Sequence, residues 1–172
     1  MDLEKVRSAI ELKFWELFES LVQQQGLNLY DLQYLPGQHL LRVFIWDKAT
    51  KTATLDDCVK IDKAFDPYLE ESWVPTELTL EVSSPGVYRE LNCQEHLRQA
   101  QGDLVQLTLF NKLLLSERPG LPKKFNGQKK VRGFLKKIDQ EVVVDLGQYD
   151  LTLTFDDIKK ANLDPELGQL MR

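Results

Sequence analysis

The sequence is poor in the residues that build metal cages, disulfide frameworks and nucleophilic sites. Its 172 residues include two cysteines, Cys58 and Cys93, and two histidines, His39 and His96. Two isolated cysteines supply neither a zinc ligand set nor a disulfide framework and are expected as reduced thiols. Neither histidine stands at metal-ligand spacing from another ligand type, so no metal and no cofactor are expected. Long apolar runs are missing too. Nothing approaches the roughly 20 consecutive apolar residues that cross a bilayer, and the opening MDLEKVRSAI is charged and amphipathic rather than signal-like. A cytoplasmic location with no membrane partner is therefore expected. The chain also lacks a Walker-type glycine loop, an HExxH pattern, an EF-hand loop and a nucleophile beside a base, so no enzymatic activity is expected. The pairs Asp56-Asp57 and Asp156-Asp157 read as helix starts, where the dipole favours negative charge.

What the chain does have is enough bulk for small cores: 42% hydrophobic residues, with three Trp, eight Phe and five Tyr. The length suits two compact domains of roughly 80 residues each. Net charge is −5, which argues against a uniformly basic nucleic-acid binder. That average hides a division. Through residue 91 there are 9 Lys and Arg against 16 Asp and Glu, net −7, and the remainder carries 13 against 11, net +2. Between Lys112 and Lys137 nine basic residues face Glu117 alone. The expected organisation is an acidic domain over 1–91 and a second domain over 92–172 with a basic loop at 111–130.

In the first part, Val6, Ile10, Phe14, Leu17 and Leu21 recur at the spacing of one helical face, predicting a helix over 3–25 that Gly26 closes. Two alternating runs follow, 27–34 and 40–46. They are separated by Leu35-Pro36-Gly37-Gln38, a hairpin turn in which Gly37 is expected to permit positive φ. Thr54 then precedes Leu55-Asp56-Asp57 as a helix cap, and the helix is expected to carry Cys58, Ile61, Phe65 and Leu69 inward. A third strand places Leu78, Leu80 and Val82 on one face. The order α-β-β-α-β suits two helices on one face of a small, largely antiparallel sheet. KH domains share similar layouts, but their GXXG backbone clamp occurs nowhere in this chain.

The second part opens with a short helix, 94–100, and continues with strand-like runs at 103–110, 131–138, 141–146 and 149–155, then a helical turn around 156–161. Short strands joined by turns predict a small β-barrel of the SH3 or Sm kind, since closure removes sheet edges. The fold class is thus α+β, with a two-layer α-β-β-α-β domain before a small barrel. The loop at 111–130 is too long to be a plain connection. Its clustered cations would neutralise phosphates, and Phe125 would either stack on an exposed base or fold back onto the barrel.

The segment LEVSSPGVYREL, from Leu80 to Leu91, resembles the signature of the ribosome maturation factor RimP family. That family usually continues SSPG with a hydrophobe and then Asp-Arg-Pro-Leu, where this chain has Val87-Tyr88-Arg89-Glu90-Leu91. Asp57-Cys58, the run KVRGFL from Lys130 to Leu135 and the run IKKANL from Ile158 to Leu163 resemble family positions in the same order. Tyr88 and Glu90 depart from the pattern. The resemblance implies a KH-like first domain, an Sm-like barrel and a non-enzymatic role in maturation of the small (30S) ribosomal subunit.

On that footing, Lys123, Lys124, Phe125, Lys129, Lys130, Arg132 and Arg89 are expected to contact ribosomal RNA, with Arg89 alternatively pairing with Glu90 or Glu81. Ser83, Ser84, Pro85 and Gly86 are expected to form the interdomain junction, because Pro85-Gly86 can reverse the chain after the third strand. Asp56, Asp57, Asp62, Asp66, Glu70 and Glu71 are expected to dock a basic small-subunit ribosomal protein, complementary charge favouring such an encounter. The alternative for the cations and the acids alike is a solvated face. The expected partners are a small-subunit precursor, its rRNA and a basic ribosomal protein, and the chain is expected to be a monomer. The competing function is an Sm-like RNA-binding regulator of messenger or small RNA.

Overall fold

The computed structural model describes residues 7–165, which divide into two compact units, one ending at Gly86 and the other beginning at Val87. In the first, helix α1 (Ala9–Gln24) starts where a capping box supplies its orphan amides. The Glu11 N–H donates to Ser8 Oγ (3.3 Å) and the Ser8 N–H donates to the Glu11 carboxylate (3.0 Å). It ends in a Schellman closure: Gly26, at φ +72°, donates to Gln23 O, and Leu27 N–H reaches back to Val22 O. Phe14, Phe18, Leu21 and Val22 are its buried stripe, and Val6, expected on the same face, lies outside the described residues.

Strands β1 (Asn28–Leu35) and β2 (Leu40–Trp46) form an antiparallel pair across a 3₁₀ turn at Pro36–Gln38. The left-handed residue of this turn is His39, at φ +50°, and not Gly37. The Pro-Gly pair winds into the 3₁₀ turn, and the reversal falls one residue beyond it.

Helix α2 (Leu55–Phe65) returns the chain so that β3 (Thr79–Ser83) pairs parallel to β2, giving the order β1-β2-β3. The sheet is therefore half parallel rather than largely antiparallel, and α2 supplies the long crossover that a parallel pair needs. The core joins Phe14, Phe18, Ile61 and Phe65 from the helices to Leu32, Leu41, Val43 and Ile45 from the strands. Leu69 was expected inward but is 46% exposed. α2 stops at Phe65, because Pro67 has no N–H to continue the helical ladder, and a 3₁₀ turn at Asp66–Tyr68 takes Leu69 out of phase.

The second unit has helix α3 (Gln94–Gln99) and five strands: β4 (Leu104–Leu109), β5 (Lys130–Ile138), β6 (Val142–Asp145), β7 (Asp150–Leu153) and β8 (Ile158–Leu163). All pairings are antiparallel in the order β7-β6-β5-β4-β8, the SH3-like arrangement. Among the described residues β7 and β8 do not pair with each other, so hydrogen bonding leaves the barrel open. The helical turn expected around 156–161 is confined to Phe155–Asp157, and the rest is β8. A bulge places both Lys159 and Lys160 in solvent, which breaks the alternation that would have marked the strand.

The segment 87–91 stood with the first domain in the sequence-based division, but here it lies with the second. Leu91 is fully buried in the second core, its N–H donates to Ala161 O (2.9 Å), and Glu90 bridges to Asn162 at the outer side of β8.

Candidate functional site

The alternation of β5 divides KVRGFLKKI into two faces. Val131, Gly133, Leu135 and Ile138 point into the second core, while Lys130, Arg132 and Phe134 point out, joined after a bulge by Lys136 and Lys137. Cross-strand register extends the outer face. Lys130, Thr108 and Lys160 lie in one row over β5, β4 and β8, and Arg132, Gln106 and Asn162 in the next.

The loop at 111–130 folds onto this unit. Leu113 and Leu121 are buried in the second core, Arg118 Nη1 donates to Thr152 O (2.7 Å), and Leu113 and Gly127 are hydrogen-bonded through their main chains. Phe125 packs against the same core with Lys124 Nζ 5.0 Å from its ring centroid. Of its two expected roles, folding back onto the barrel is the one its position supports. Lys123 and Lys124 sit exposed on a 3₁₀ turn, Lys123–Phe125.

The cations differ in how they are held. Lys129 Nζ donates to Phe110 O (2.8 Å), Arg132 Nε to Asp164 Oδ2 and Lys136 Nζ to Asp150 Oδ2 (2.6 Å). That bond and the charge of Asp150 raise the Lys136 pKa. Lys123, Lys124 and Lys130 have no carboxylate partner among the described residues. Exposed ion pairs of this kind are screened by solvent and weak, so Arg132 and Lys136 can exchange a carboxylate for a phosphate at little cost.

Arg89 does not join this surface. It is 8% exposed, and its carbonyl accepts from Leu163 N–H. The pairing of 89–91 alongside β8 draws it in, an effect that no local pattern announces. Ser83 ends β3, and Gly86, at φ +78°, stands immediately before the division between the units.

On α2, Asp56 and Asp62 are exposed, followed beyond its end by Asp66, Glu70 and Glu71. Asp57 is committed to the helix cap. It accepts from the Thr54 hydroxyl (2.7 Å) and the Thr54 N–H (3.0 Å), which hold its pKa below the usual aspartate value. Sequence reasoning missed Leu55 and Val59, 80% and 42% exposed, one helical turn apart among these acids. It also missed Phe134, 46% exposed. The signal was present for both: Leu55 and Val59 are out of phase with Ile61 and Phe65, and Phe134 is in phase with Lys130 and Arg132.

Among the described residues no group of three or more His, Cys, Asp and Glu side chains is placed to hold a metal ion, and no helix is long and apolar enough to cross a membrane. Residues 17–88 match the family model described as the RimP N-terminal domain.

Proposed function

We propose, from the match of residues 17–88 to the N-terminal domain of the RimP family of ribosome maturation factors, that the chain is a member of that family and a non-catalytic, cytoplasmic and monomeric assembly factor of the small (30S) subunit. In this reading the acidic surface of α2 and of the segment that follows it, with Asp56, Asp62, Asp66, Glu70 and Glu71, engages a basic ribosomal protein. Lys123, Lys124, Lys129, Lys130 and Arg132 engage ribosomal RNA. The observation that carries it is the segregation of charge. The first unit exposes carboxylates around two uncovered apolar side chains, whereas the second exposes lysines that no carboxylate holds.

A factor of this kind needs no chemistry. By binding a productive precursor more tightly than its alternatives it shifts the population toward that state, by as much as its affinities differ. Phosphate neutralisation supplies much of the affinity through counterion release, so binding weakens as salt rises.

Sedimentation of cell extract with detection of this protein tests the proposal. The chain is expected with immature small subunits, and replacing Lys123, Lys124, Lys129, Lys130 and Arg132 together with Ala is expected to release it. For isolated single-stranded RNA the same five changes should remove up to about 3.5 from the slope of log K against log salt, at roughly 0.7 per phosphate. Unchanged sedimentation and slope would sink the assignment. A protein found in rings and bound to RNA away from ribosomes would point instead to an Sm-like regulator.

A further inference from the structure

Phe134 stands apart from every other aromatic residue of the second unit. Phe125, Tyr149 and Phe155 pack against its core, and Tyr88 and Phe110, though exposed, lie outside the strands, but Phe134 projects from the middle of β5 on the outer face of the sheet. It flanks an open cleft of about 380 Å³ whose other walls include Leu104, Gly133, Asp145 and Gly147. That volume lies within the roughly 300–1,000 Å³ of small-molecule sites.

Two features give the cleft a direction. Along β5, Arg132 and then Lys130 continue outward from Phe134 on the same face, joined by Lys160 in the row of Lys130. Across the strand, the residue opposite Phe134 is Asp145 of β6, a half-buried carboxylate whose Oδ1 accepts from Gly147 N–H (2.7 Å). A phosphate is attracted on the lysine side and repelled on the aspartate side. A neutral planar group, by contrast, enters between them and meets a ring face.

We propose that Phe134 is a stacking platform for an unpaired nucleobase of single-stranded RNA, whose phosphates run along Lys130 and Arg132. The site deepens the RNA-binding reading above and rests on it. Aromatic faces accept any base, since every base has a π surface, and a paired base cannot turn out to reach one. A protein loop would also cover an exposed phenyl ring, but it would not explain a ring set in line with a row of cations.

The test uses the full chain with a labelled single-stranded oligoribonucleotide and the corresponding duplex, affinities being read by fluorescence anisotropy over a salt series. Phe134→Leu, which keeps apolar bulk and removes the ring, is expected to weaken single-strand binding roughly 5- to 150-fold, the range of one lost stacking contact. It should leave duplex binding and the salt slope as they were. Phe134→Tyr should retain single-strand affinity. Lys130→Ala should lower the salt slope by about 0.7 on the single strand and about 0.9 on the duplex. If Phe134→Leu binds the single strand like the unaltered chain while Lys130→Ala still lowers the slope, the stacking site is wrong and the RNA reading stands. Equal losses on single strand and duplex would also overturn the stacking site. If the unaltered chain binds neither RNA in a salt-dependent way, both readings fall together.

Discussion

The two units bury their apolar residues with different chemistry. In the first, the largest buried side chains are rings: Phe65 lies 5.0 Å from Phe18 and 6.3 Å from Phe14 between centroids, and Phe14 adds Trp73 at 5.0 Å. The second core is aliphatic, built from Leu, Val and Ile of five strands, with rings only at its margin. A helix laid on a sheet leaves a gap that few large planar groups fill, whereas a tightly curved small sheet brings backbones close and has room for aliphatic branches. Gly133 marks that limit. A Cβ built there would lie 2.4 Å from Asp145 O and 2.7 Å from Val144 Cγ1, so β5 and β6 approach as they do only because this position has no side chain.

If the contrast is right, the two units respond to different lesions. The largest effect is expected from Phe65→Ala, about 3–5 kcal/mol, since it removes a ring around which Phe14, Phe18 and Tyr68 gather. Urea denaturation followed by tryptophan fluorescence reads it, because Trp15, Trp46 and Trp73 all belong to the first unit. Loss of amide protection in β4 and β5 as large as that in β2 would break the distinction between the cores.

Gly133→Ala comes next, at about 1–3 kcal/mol of overpacking. Hydrogen exchange at Val105 and Leu135 should rise, and the tryptophan transition should stay where it is. Unchanged exchange would mean that the sheet gives way without cost.

Thr54→Ala should cost the first unit about 1 kcal/mol through its lost cap. Its pH dependence sharpens the point. The folded Asp57 pKa is depressed, chiefly by the Thr54 hydroxyl and then the Thr54 amide, so the cap's charge-assisted part is complete above the ordinary aspartate pKa of about 3.9. It is lost as pH falls through the lowered value. The stability difference between the unaltered chain and Thr54→Ala should therefore narrow below about pH 4, and a difference constant down to pH 2 would assign the cap to the neutral hydroxyl alone.

Local chemistry made much of the first unit legible. The spacing of Phe14, Leu17 and Leu21 and the closing Gly26 predict α1, and Thr54 with Asp57 predicts the start of α2. Both depend on groups within a few residues of one another. Strand β5 was legible for the same reason, and with it the outward direction of Lys130 and Arg132. What escaped were positions decided by partners far along the chain. Arg89 is buried because 89–91 meets β8, some seventy residues away, and β8 itself was hidden because its pairing tolerates a bulge that spoils alternation. Phe125 carried two open readings until Leu113 and Leu121 tied its loop to the core.

The sequence by itself determined the two charge regimes, the period of most elements and the Thr54 cap of α2, because each follows from composition or from contacts along a single turn or strand. The Ser8 cap, which starts α1 at Ala9 and not at residue 3, went unread. Only the tertiary structure decided which cations keep a carboxylate and which do not, that the segment after Gly86 completes the second sheet, and that a phenyl ring stands in the row of Lys130 and Arg132. Those are matters of register between strands, and register is set by the packing of a whole face.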